Sequence, residues 1–229
     1  MFYWLTIFSD GGDFFNLFRY ITFRAGGAFF TALLFGFIFG RPIINLLKKK
    51  QINGQPIRSD GPERHLVDKI GTPTMGGLLI LGALITSTLL WARLDNGFVW
   101  VVLFVTLGFG FIGFIDDFSK VSLQSHQGLS GKIRMLFGIL ISLFAAYFAS
   151  FLHPPALTYQ LALPVLKNTL IDLGPFFILF GAFIVLGAAN SVNLTDGLDG
   201  LAIMPVMIAA AALGTVSYTH LTLPTKRIV

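Results

Sequence analysis

The chain has 229 residues, of which 55% are hydrophobic and only 12% are charged, with a formal net charge of +5. The charged share is about half of that usual in soluble domains, which excludes a disordered chain and indicates an integral membrane protein. The sequence contains no cysteine, which excludes disulfides, thiolate metal sites and cysteine nucleophiles. In a membrane protein a basic excess indicates topology first, so we expect no nucleic-acid partner.

The N-terminal segment does not have the form of a cleaved signal peptide, because it carries Asp10 and Asp13 and no basic start. Apolar residues from Phe14 to Ile21 then recur at the spacing of one helical face. This pattern predicts an amphipathic helix that lies in the membrane interface. The alternative is that these residues form the first turns of the next span.

Apolar runs recur along the chain, each close to the roughly 20 residues that a helix needs to cross a bilayer. They are Ala25 to Leu47 (with Arg41 inside it), Thr74 to Ala92, Phe98 to Ile115, Met135 to Leu152, Leu173 to Ala189 and Leu201 to Val216. A transmembrane β-barrel would show short alternating segments instead. The sequence therefore predicts an all-α fold, a polytopic membrane helix bundle of six transmembrane helices that forms one domain over residues 1–216.

Lysine and arginine are concentrated in two connections, with six in residues 48–73 and three in residues 116–134. The positive-inside rule places these connections, and residues 190–200, on the cytoplasmic side. It places the N-terminus and the connections 93–97 and 153–172 on the periplasmic side.

The first of three polar segments on the predicted cytoplasmic side runs from Lys69 to Gly77 and reads KIGTPTMGG. Its glycines and proline shape a loop that enters a helix, and the N–H groups at a helix N-terminus suit an anion. Lys69 adds a positive charge close by. Local chemistry alone favours the alternative, an ordinary loop with a glycine-rich helix start for close packing.

The second segment, Asp116 to Lys120, places two adjacent carboxylates at the cytoplasmic end of the third predicted span. Such carboxylates repel each other and are better tolerated with a cation between them. Mg²⁺ binds through one or two carboxylates together with substrate phosphates, so Asp116 and Asp117 are candidate metal ligands. A solvated, charged helix end explains the pair equally well, although acidic residues contribute little to topology.

The third segment, residues 190–200, joins the last two predicted spans and reads NSVNLTDGLDG. Four polar residues recur in it every three positions: Asn190, Asn193, Asp196 and Asp199. In a helix they would lie near one face, where they could bind a sugar or nucleoside or hold a metal through water. A polar turn is the alternative, because Asn and Asp-Gly are common turn formers. This spacing, with no Lys or Arg, is unusual for a simple turn.

Together these segments closely resemble the bacterial phospho-N-acetylmuramoyl-pentapeptide transferase family, within the polyprenyl-phosphate N-acetylhexosamine-1-phosphate transferase superfamily. Residues 15–24 and 60–63 also look like this family, and the resemblance runs from about Met1 to about Leu213. It implies a bundle of ten transmembrane helices, commonly dimeric, in the bacterial cytoplasmic (inner) membrane. It also implies an active site in a cleft that faces the cytoplasm.

The resemblance implies a Mg²⁺-dependent transfer of phospho-N-acetylmuramoyl-pentapeptide to undecaprenyl phosphate, which forms lipid I and UMP in peptidoglycan synthesis. The expected partners are UDP-N-acetylmuramoyl-pentapeptide, undecaprenyl phosphate, membrane lipids and a second copy of the chain in a homodimer. One alternative is a related enzyme that transfers N-acetylglucosamine-1-phosphate to the same lipid. Another is a membrane transporter, but transporters place ionisable residues near the bilayer midplane, whereas these spans keep acidic residues at one set of ends.

Carried onto this sequence, the resemblance implies that Asp116 and Asp117 are the catalytic aspartates, one of which deprotonates the lipid phosphate or acts as a nucleophile. It also implies a set of substrate-binding residues, of which Asn190 and Gly197 are not assigned to a particular side and the others lie on the nucleoside side of the site. The whole set is Lys69, Thr74, Asn190, Asn193, Asp196, Gly197 and Asp199. Lys120 and Lys132 match positions that suit phosphate contacts.

The chain departs from the family at its C-terminal end. The family continues for four more spans, which carry a third catalytic aspartate and a His-rich motif that this chain lacks. Residues 217–229 resemble nothing in the family and add polar residues and Pro224 after the sixth predicted span. We therefore expect residues 217–229 to be a foreign tail and the 229-residue chain to be inactive by itself.

Overall fold

The computed structural model describes residues 1–51, 73–124, 128–155, 157–162, 170–196 and 200–222, most of which are helical. Two short 3-10 helices, Phe2–Phe8 and Phe14–Arg19, come first. The α-helices are α1 (Ile21–Lys50), α2 (Gly77–Trp91), α3 (Gly97–Leu123), α4 (Gly131–Leu152), α5 (Phe176–Thr195) and α6 (Ile203–Thr222). Between α4 and α5, β1 (Gln160–Ala162) pairs antiparallel with β2 (Leu170–Asp172).

Four of the described helices, α1, α3, α4 and α5, are long and apolar enough to cross a membrane. Two shorter apolar helices accompany them, α2 and residues Ile203–Thr219 of α6. Large apolar side chains such as Phe37 and Ile38 of α1 face outward, as expected of helices that contact lipid. The chain is therefore an all-α polytopic membrane protein, as predicted. The count of six spans and the periplasmic N-terminus stay predictions.

The N-terminal residues differ from the predicted amphipathic α-helix. Phe14–Arg19 forms a 3-10 helix, and the extended Tyr20 separates it from α1, so it is not the first turn of that helix either. Phe18 is buried, with its ring centroid 6.0 Å from that of Trp91 and 5.3 Å from that of Phe23. This aromatic packing of Phe18 overrides the helical periodicity of the segment, because tertiary contacts outweigh local propensity.

The helix that follows the first polar segment begins at Gly77, three residues after the predicted start of the span at Thr74. Met75 explains the difference, because its φ of +70° lies in the left-handed region, which a right-handed helix does not include. Thr74 and Met75 therefore form a connection that leads into α2.

The last helix continues beyond Val216, where the sixth span was predicted to end, and reaches Thr222. Thr215 and Thr219 each donate a side-chain hydroxyl to the carbonyl four residues earlier, at 2.8 Å. These bonds satisfy the hydroxyls within the helix, so the polar residues do not end it. Residues 223–229 of the predicted tail lie outside the described residues.

The chain divides into two compact units, Met1–Phe183 and Ile184–Val229. In the first unit α1 and α2 are antiparallel, because Arg24 donates to the Trp91 carbonyl at one end and Gln51 contacts Thr74 at the other. A rise of 1.5 Å per residue places Arg24 and Gln51 about 40 Å apart, close to the thickness of a bilayer with its headgroups. The two ends of this unit therefore suit opposite membrane surfaces.

Gly27 of α1 makes room for the side chain of Trp91. A Cβ atom on Gly27 would lie 2.5 Å from Cζ2 and 2.6 Å from Cζ3 of the indole. The Trp91 Nε1–H donates to Thr31 Oγ1 at 2.9 Å, and this hydroxyl donates to the Gly27 carbonyl at 2.7 Å. The ring is therefore held in position by a hydrogen bond as well as by the close approach that glycine allows.

Gly27→Ala is expected to lower the free energy of unfolding by about 1–3 kcal/mol, because the new methyl group must displace the Trp91 ring. Gly26→Ala is the matched control, since a Cβ on Gly26 would meet nothing within 4 Å. In this control the free energy of unfolding should stay unchanged or rise by up to about 1 kcal/mol, because alanine favours the helix more than glycine does. Denaturation of the purified chain in detergent measures both, and equal stability of the two variants would contradict the packing described for Trp91.

Candidate functional site

The two adjacent aspartates lie in the last turns of α3, at the end of the first unit where α1 ends and where α2 and α4 begin. Successive helical residues point about 100° apart, so the two side chains have different surroundings. The Asp116 side chain is 11% exposed and the Asp117 side chain is 31% exposed. The pair is therefore not a uniformly solvated helix end.

Three donors surround the Asp116 carboxylate. Lys120 Nζ, one turn further along α3, lies 2.6 Å from Oδ2, and Arg134 Nη2 of α4 donates to Oδ1 at 2.8 Å. The backbone N–H of Leu129 also donates to Oδ1, at 2.8 Å. Charge-assisted bonds of this kind offset the cost of burying a carboxylate. Asp116 thereby connects α3 to α4 and to the residues that precede α4.

Gly128 permits this close approach of the connection to α3. A Cβ atom on Gly128 would collide with Asp116 Oδ1 and would lie 2.8 Å from the Cε atom of Lys120. A side chain at residue 128 would therefore displace the carboxylate or the lysine that neutralises it.

Asp117 has a less crowded carboxylate. Its Oδ2 accepts a hydrogen bond from the hydroxyl of Thr74 at 2.9 Å. Its Oδ1 lies 3.5 Å from Lys120 Nζ, an ion-pair distance that is longer than a good hydrogen bond. Lys120 therefore lies between the two carboxylates and reduces their mutual repulsion. Asp117 keeps lone pairs for a ligand, whereas those of Asp116 are largely engaged.

Thr74 is itself fixed by Gln51, the residue that follows α1. The Thr74 N–H donates to Gln51 Oε1 at 2.9 Å, and Gln51 Nε2 donates to the Thr74 carbonyl at 3.4 Å. The connection before α2 is thus attached to α1 on one side and to α3 on the other.

The structure brings together part of the predicted site. Asp116, Asp117, Lys120 and Thr74 belong to one network of hydrogen bonds and ion pairs. Lys132 is exposed in the first turn of α4 and makes no hydrogen bond or ion pair with the described residues. Lys69, Gly197 and Asp199 lie outside the described residues.

The remaining predicted residues belong to the second unit. Asn190 and Asn193 lie in the last turns of α5, and Asp196 follows that helix directly. Asn190 donates its side-chain amide to the Leu186 carbonyl at 2.9 Å, and the N–H of Asp196 donates to the Val192 carbonyl at 3.1 Å. Residues 190–195 are therefore helical, which is the arrangement that places Asn190 and Asn193 near one face.

The residues that hold the aspartates in place were not among the predicted site residues. Arg134 counted only toward topology, and Gln51 and Gly128 were not considered. The spacing of Asp116 and Lys120 is a local signal, because residues four apart are neighbours on a helix. Arg134, Gln51 and Gly128 approach the pair only through packing between elements, for which the chain carries no local pattern.

Oxygen donors here fit Mg²⁺ held partly by substrate phosphates. Asp117 offers an accessible carboxylate beside the Thr74 hydroxyl, whereas Asp116 would first have to release Lys120 or Arg134. Among the described residues, no group of three or more His, Cys, Asp or Glu side chains is placed to hold a metal by protein ligands alone. Mg²⁺ commonly binds through one or two carboxylates plus phosphates and water.

The helices and this site define a polytopic membrane protein that gathers carboxylates and cations at one end of its helices. The sequence pattern of glycosyl transferase family 4 matches residues 99–228. Because this match covers more than half of the chain, the chain belongs to glycosyl transferase family 4. A shorter pattern, phospho-N-acetylmuramoyl-pentapeptide-transferase signature 1, matches residues 69–81.

Curated relatives named phospho-N-acetylmuramoyl-pentapeptide-transferase are similar over nearly the whole chain. The proteins from Dinoroseobacter shibae and from a Ruegeria species are 67% and 66% identical to it over 218 residues, which is 95% of this chain. The relative from Ruegeria pomeroyi is 65% identical over the same length. Each alignment covers 60% of the relative, so the chain spans about 60% of their length. These matches confirm the family resemblance of the polar segments.

Asp116→Asn is expected to lower the free energy of unfolding by about 1–3 kcal/mol, because it leaves Lys120 and Arg134 without their shared, mostly buried counter-charge. Asp117→Asn is the matched control and should cost less than about 1 kcal/mol, since its carboxylate is more exposed and an amide oxygen can still accept from Thr74. Denaturation of the purified chain in detergent measures both. A larger loss in Asp117→Asn than in Asp116→Asn would contradict the described asymmetry.

Proposed function

We propose that the protein transfers phospho-N-acetylmuramoyl-pentapeptide from UDP-N-acetylmuramoyl-pentapeptide to undecaprenyl phosphate, which yields lipid I and UMP. The observation that carries the proposal is the aspartate pair bound to Lys120, Arg134 and Thr74 at one end of apolar helices. The names of the relatives and the signature at residues 69–81 support the same reaction.

The proposal puts the aspartate end of the helices in the cytoplasm, with the protein in the bacterial inner membrane. Basic residues support this orientation, because the aspartate end of the first unit carries Lys48, Lys49, Lys50, Lys120, Lys132 and Arg134. Among the described residues, the opposite end carries Arg19, Arg24 and Arg93. By the positive-inside rule the richer end faces the cytoplasm. A nucleotide from the cytosol and a lipid phosphate from the bilayer can meet there.

Both reactants are anions, so much of the barrier is electrostatic, and fixed positive charges lower it. In the proposed reaction an oxygen of the lipid phosphate attacks the β-phosphorus of the nucleotide. The new phosphorus–oxygen bond replaces the bond to the leaving UMP. Lys120 and Arg134 supply positive charge beside this reaction, and the exposed Lys132 is available for a phosphate contact.

The two aspartates take different roles in this proposal. Asp117 accepts the proton of the lipid phosphate, because its carboxylate is the more exposed and holds one short hydrogen bond in the described structure. Asp116 positions Lys120 and Arg134 and does not exchange protons. One oxygen of the Asp117 carboxylate would hold Mg²⁺ while the other accepts the proton, and the ion would supply charge that neutralises the leaving group.

The predicted substrate-binding residues remain part of this proposal. They are Lys69, Thr74, Asn190, Asn193, Asp196, Gly197 and Asp199. Thr74 is the member whose contact with the aspartates is described, through Asp117. A homodimer, as the family resemblance implies, belongs to the same proposal.

The signature at residues 69–81 favours the muramoyl substrate over the related N-acetylglucosamine-1-phosphate transfer. A transporter is disfavoured by the position of the aspartates, which lie at the helix ends near the basic residues. Ion-coupled transport uses ionisable groups near the midplane of broken helices.

The full-length protein that contains this segment is expected to release UMP from UDP-N-acetylmuramoyl-pentapeptide when undecaprenyl phosphate is present. Asp117→Asn should lower kcat by about 10²–10⁴-fold, because it removes the proposed base. Chelation of Mg²⁺ should abolish turnover, and added Mg²⁺ should restore it. An assay of UMP release with the purified enzyme in detergent measures all three effects.

Asp95→Asn is the control for this experiment, because Asp95 is an exposed acid at the opposite end. Its pKa is held below the usual range, first by a hydrogen bond from Arg93. This variant should turn over at the wild-type rate. Turnover by Asp117→Asn at the wild-type rate would sink the assigned base. If, in the presence of undecaprenyl phosphate, UMP were released from UDP-N-acetylglucosamine and not from UDP-N-acetylmuramoyl-pentapeptide, the protein would instead be the related transferase.

A further inference from the structure

Gln51 is a buried amide at the end of α1, with 6% of the residue exposed. A buried amide needs partners for both its carbonyl oxygen and its amino group. Here both partners are backbone groups of one residue, Thr74, at 2.9 and 3.4 Å. The N–H of Gln51 donates to the Leu47 carbonyl at 2.9 Å, which fixes Gln51 to α1. Gln51 therefore holds the peptide groups on both sides of the Thr74 Cα atom.

Met75 provides a second, independent observation beside the two hydrogen bonds between Gln51 and Thr74. A φ of +70° is unusual for a residue other than glycine and persists only where the surroundings impose it. On the C-terminal side the first turn of α2 imposes it, because the N–H of Leu78 donates to the Met75 carbonyl at 3.1 Å. On the N-terminal side the constraint is the pair of hydrogen bonds between the Gln51 side chain and the backbone of Thr74.

The side chain of Thr74 carries this constraint to α3. Its hydroxyl donates to Asp117 Oδ2 at 2.9 Å, and the position of the hydroxyl follows from the backbone that Gln51 holds. Without Gln51, the N–H and carbonyl of Thr74 would lose their partners and the strained turn could relax. The Thr74 hydroxyl would then no longer be directed at Asp117.

We infer that Gln51 is a positioning residue for Asp117 and acts through Thr74. Gln51 does not touch the aspartate itself, and its consequence for catalysis rests on the proposed function, in which Asp117 is the base. In the full-length enzyme Gln51→Ala lowers kcat more than it changes KM for the nucleotide. The positioning itself is measurable without turnover.

The test labels carboxylates of the purified 229-residue chain with a water-soluble carbodiimide and an amine, and mass spectrometry of peptides quantifies each aspartate. Gln51→Ala should speed labelling of Asp117 by about fivefold, the factor that corresponds to one lost hydrogen bond. The labelling of Asp116 should not change, because its donors lie on α3, on α4 and in the connection between them. Thr74→Val, which removes the hydroxyl, should give the same increase at Asp117.

Two further variants separate positioning from general stability. Gln51→Glu keeps an oxygen acceptor for the Thr74 N–H and should restore part of the wild-type labelling rate. Asn96→Ala removes a comparable contact at the other end of α3, where Asn96 Oδ1 accepts from the Phe98 N–H at 3.0 Å. This control should leave both aspartates at their wild-type rates.

The double variant Gln51→Ala/Thr74→Val decides whether Gln51 affects Asp117 through the Thr74 hydroxyl. The inference requires no increase beyond that of either single change, because both remove the same hydrogen bond. Additive effects, an unchanged rate at Asp117, or an equal increase at Asp116 would each overturn it. Failure of the UMP assay would reject the proposed function and leave the ratio of Asp117 to Asp116 labelling unaffected.

Discussion

A carboxylate buried between two cations organises the candidate site. Asp116 accepts from Lys120 on its own helix, from Arg134 on α4 and from the N–H of Leu129 before α4. Removal of any one donor would leave a buried charge poorly compensated, which is costly in a medium of low dielectric constant. The end of α3, the start of α4 and the glycine at 128 are therefore fixed relative to one another. With Asp116 engaged, Lys120 is also held beside Asp117, where positive charge is useful.

The membrane imposes the other constraint on the site. Helices that cross a bilayer must be long and apolar, so charged chemistry is confined to their ends. In the first unit one end gathers both aspartates, Lys120 and Arg134, and the other end lies about 40 Å away along α1. This location at the helix ends, more than any single residue, is the feature on which the proposed transfer depends.

The sequence predicts well what depends on local composition. The apolar runs predict the helices, and the positions of Asp116 and Lys120 on one helix follow from four-residue spacing. Contacts between elements have no such local signal, so Gln51 and Gly128 could not be found, and Arg134 counted only as a topology marker. Local backbone strain also has no sequence signal. The left-handed Met75, which shifts the start of α2 to Gly77, lies in a polar loop whose sequence does not indicate a positive φ. The aromatic packing of Phe18 likewise replaced a predicted α-helix with a 3-10 helix.

The interaction between Asp116 and Arg134 is the most direct point at which to test the whole arrangement. A double-mutant cycle with Asp116→Asn, Arg134→Gln and the double variant isolates their coupling from the separate effects of each change. The quantity to measure is the free energy of unfolding of the purified chain in one detergent. We expect a favourable coupling of about 1–2 kcal/mol, because both side chains are partly shielded from water. Strictly additive effects would show that α3 and α4 are not joined through the Asp116 carboxylate, which would contradict the central role assigned to it.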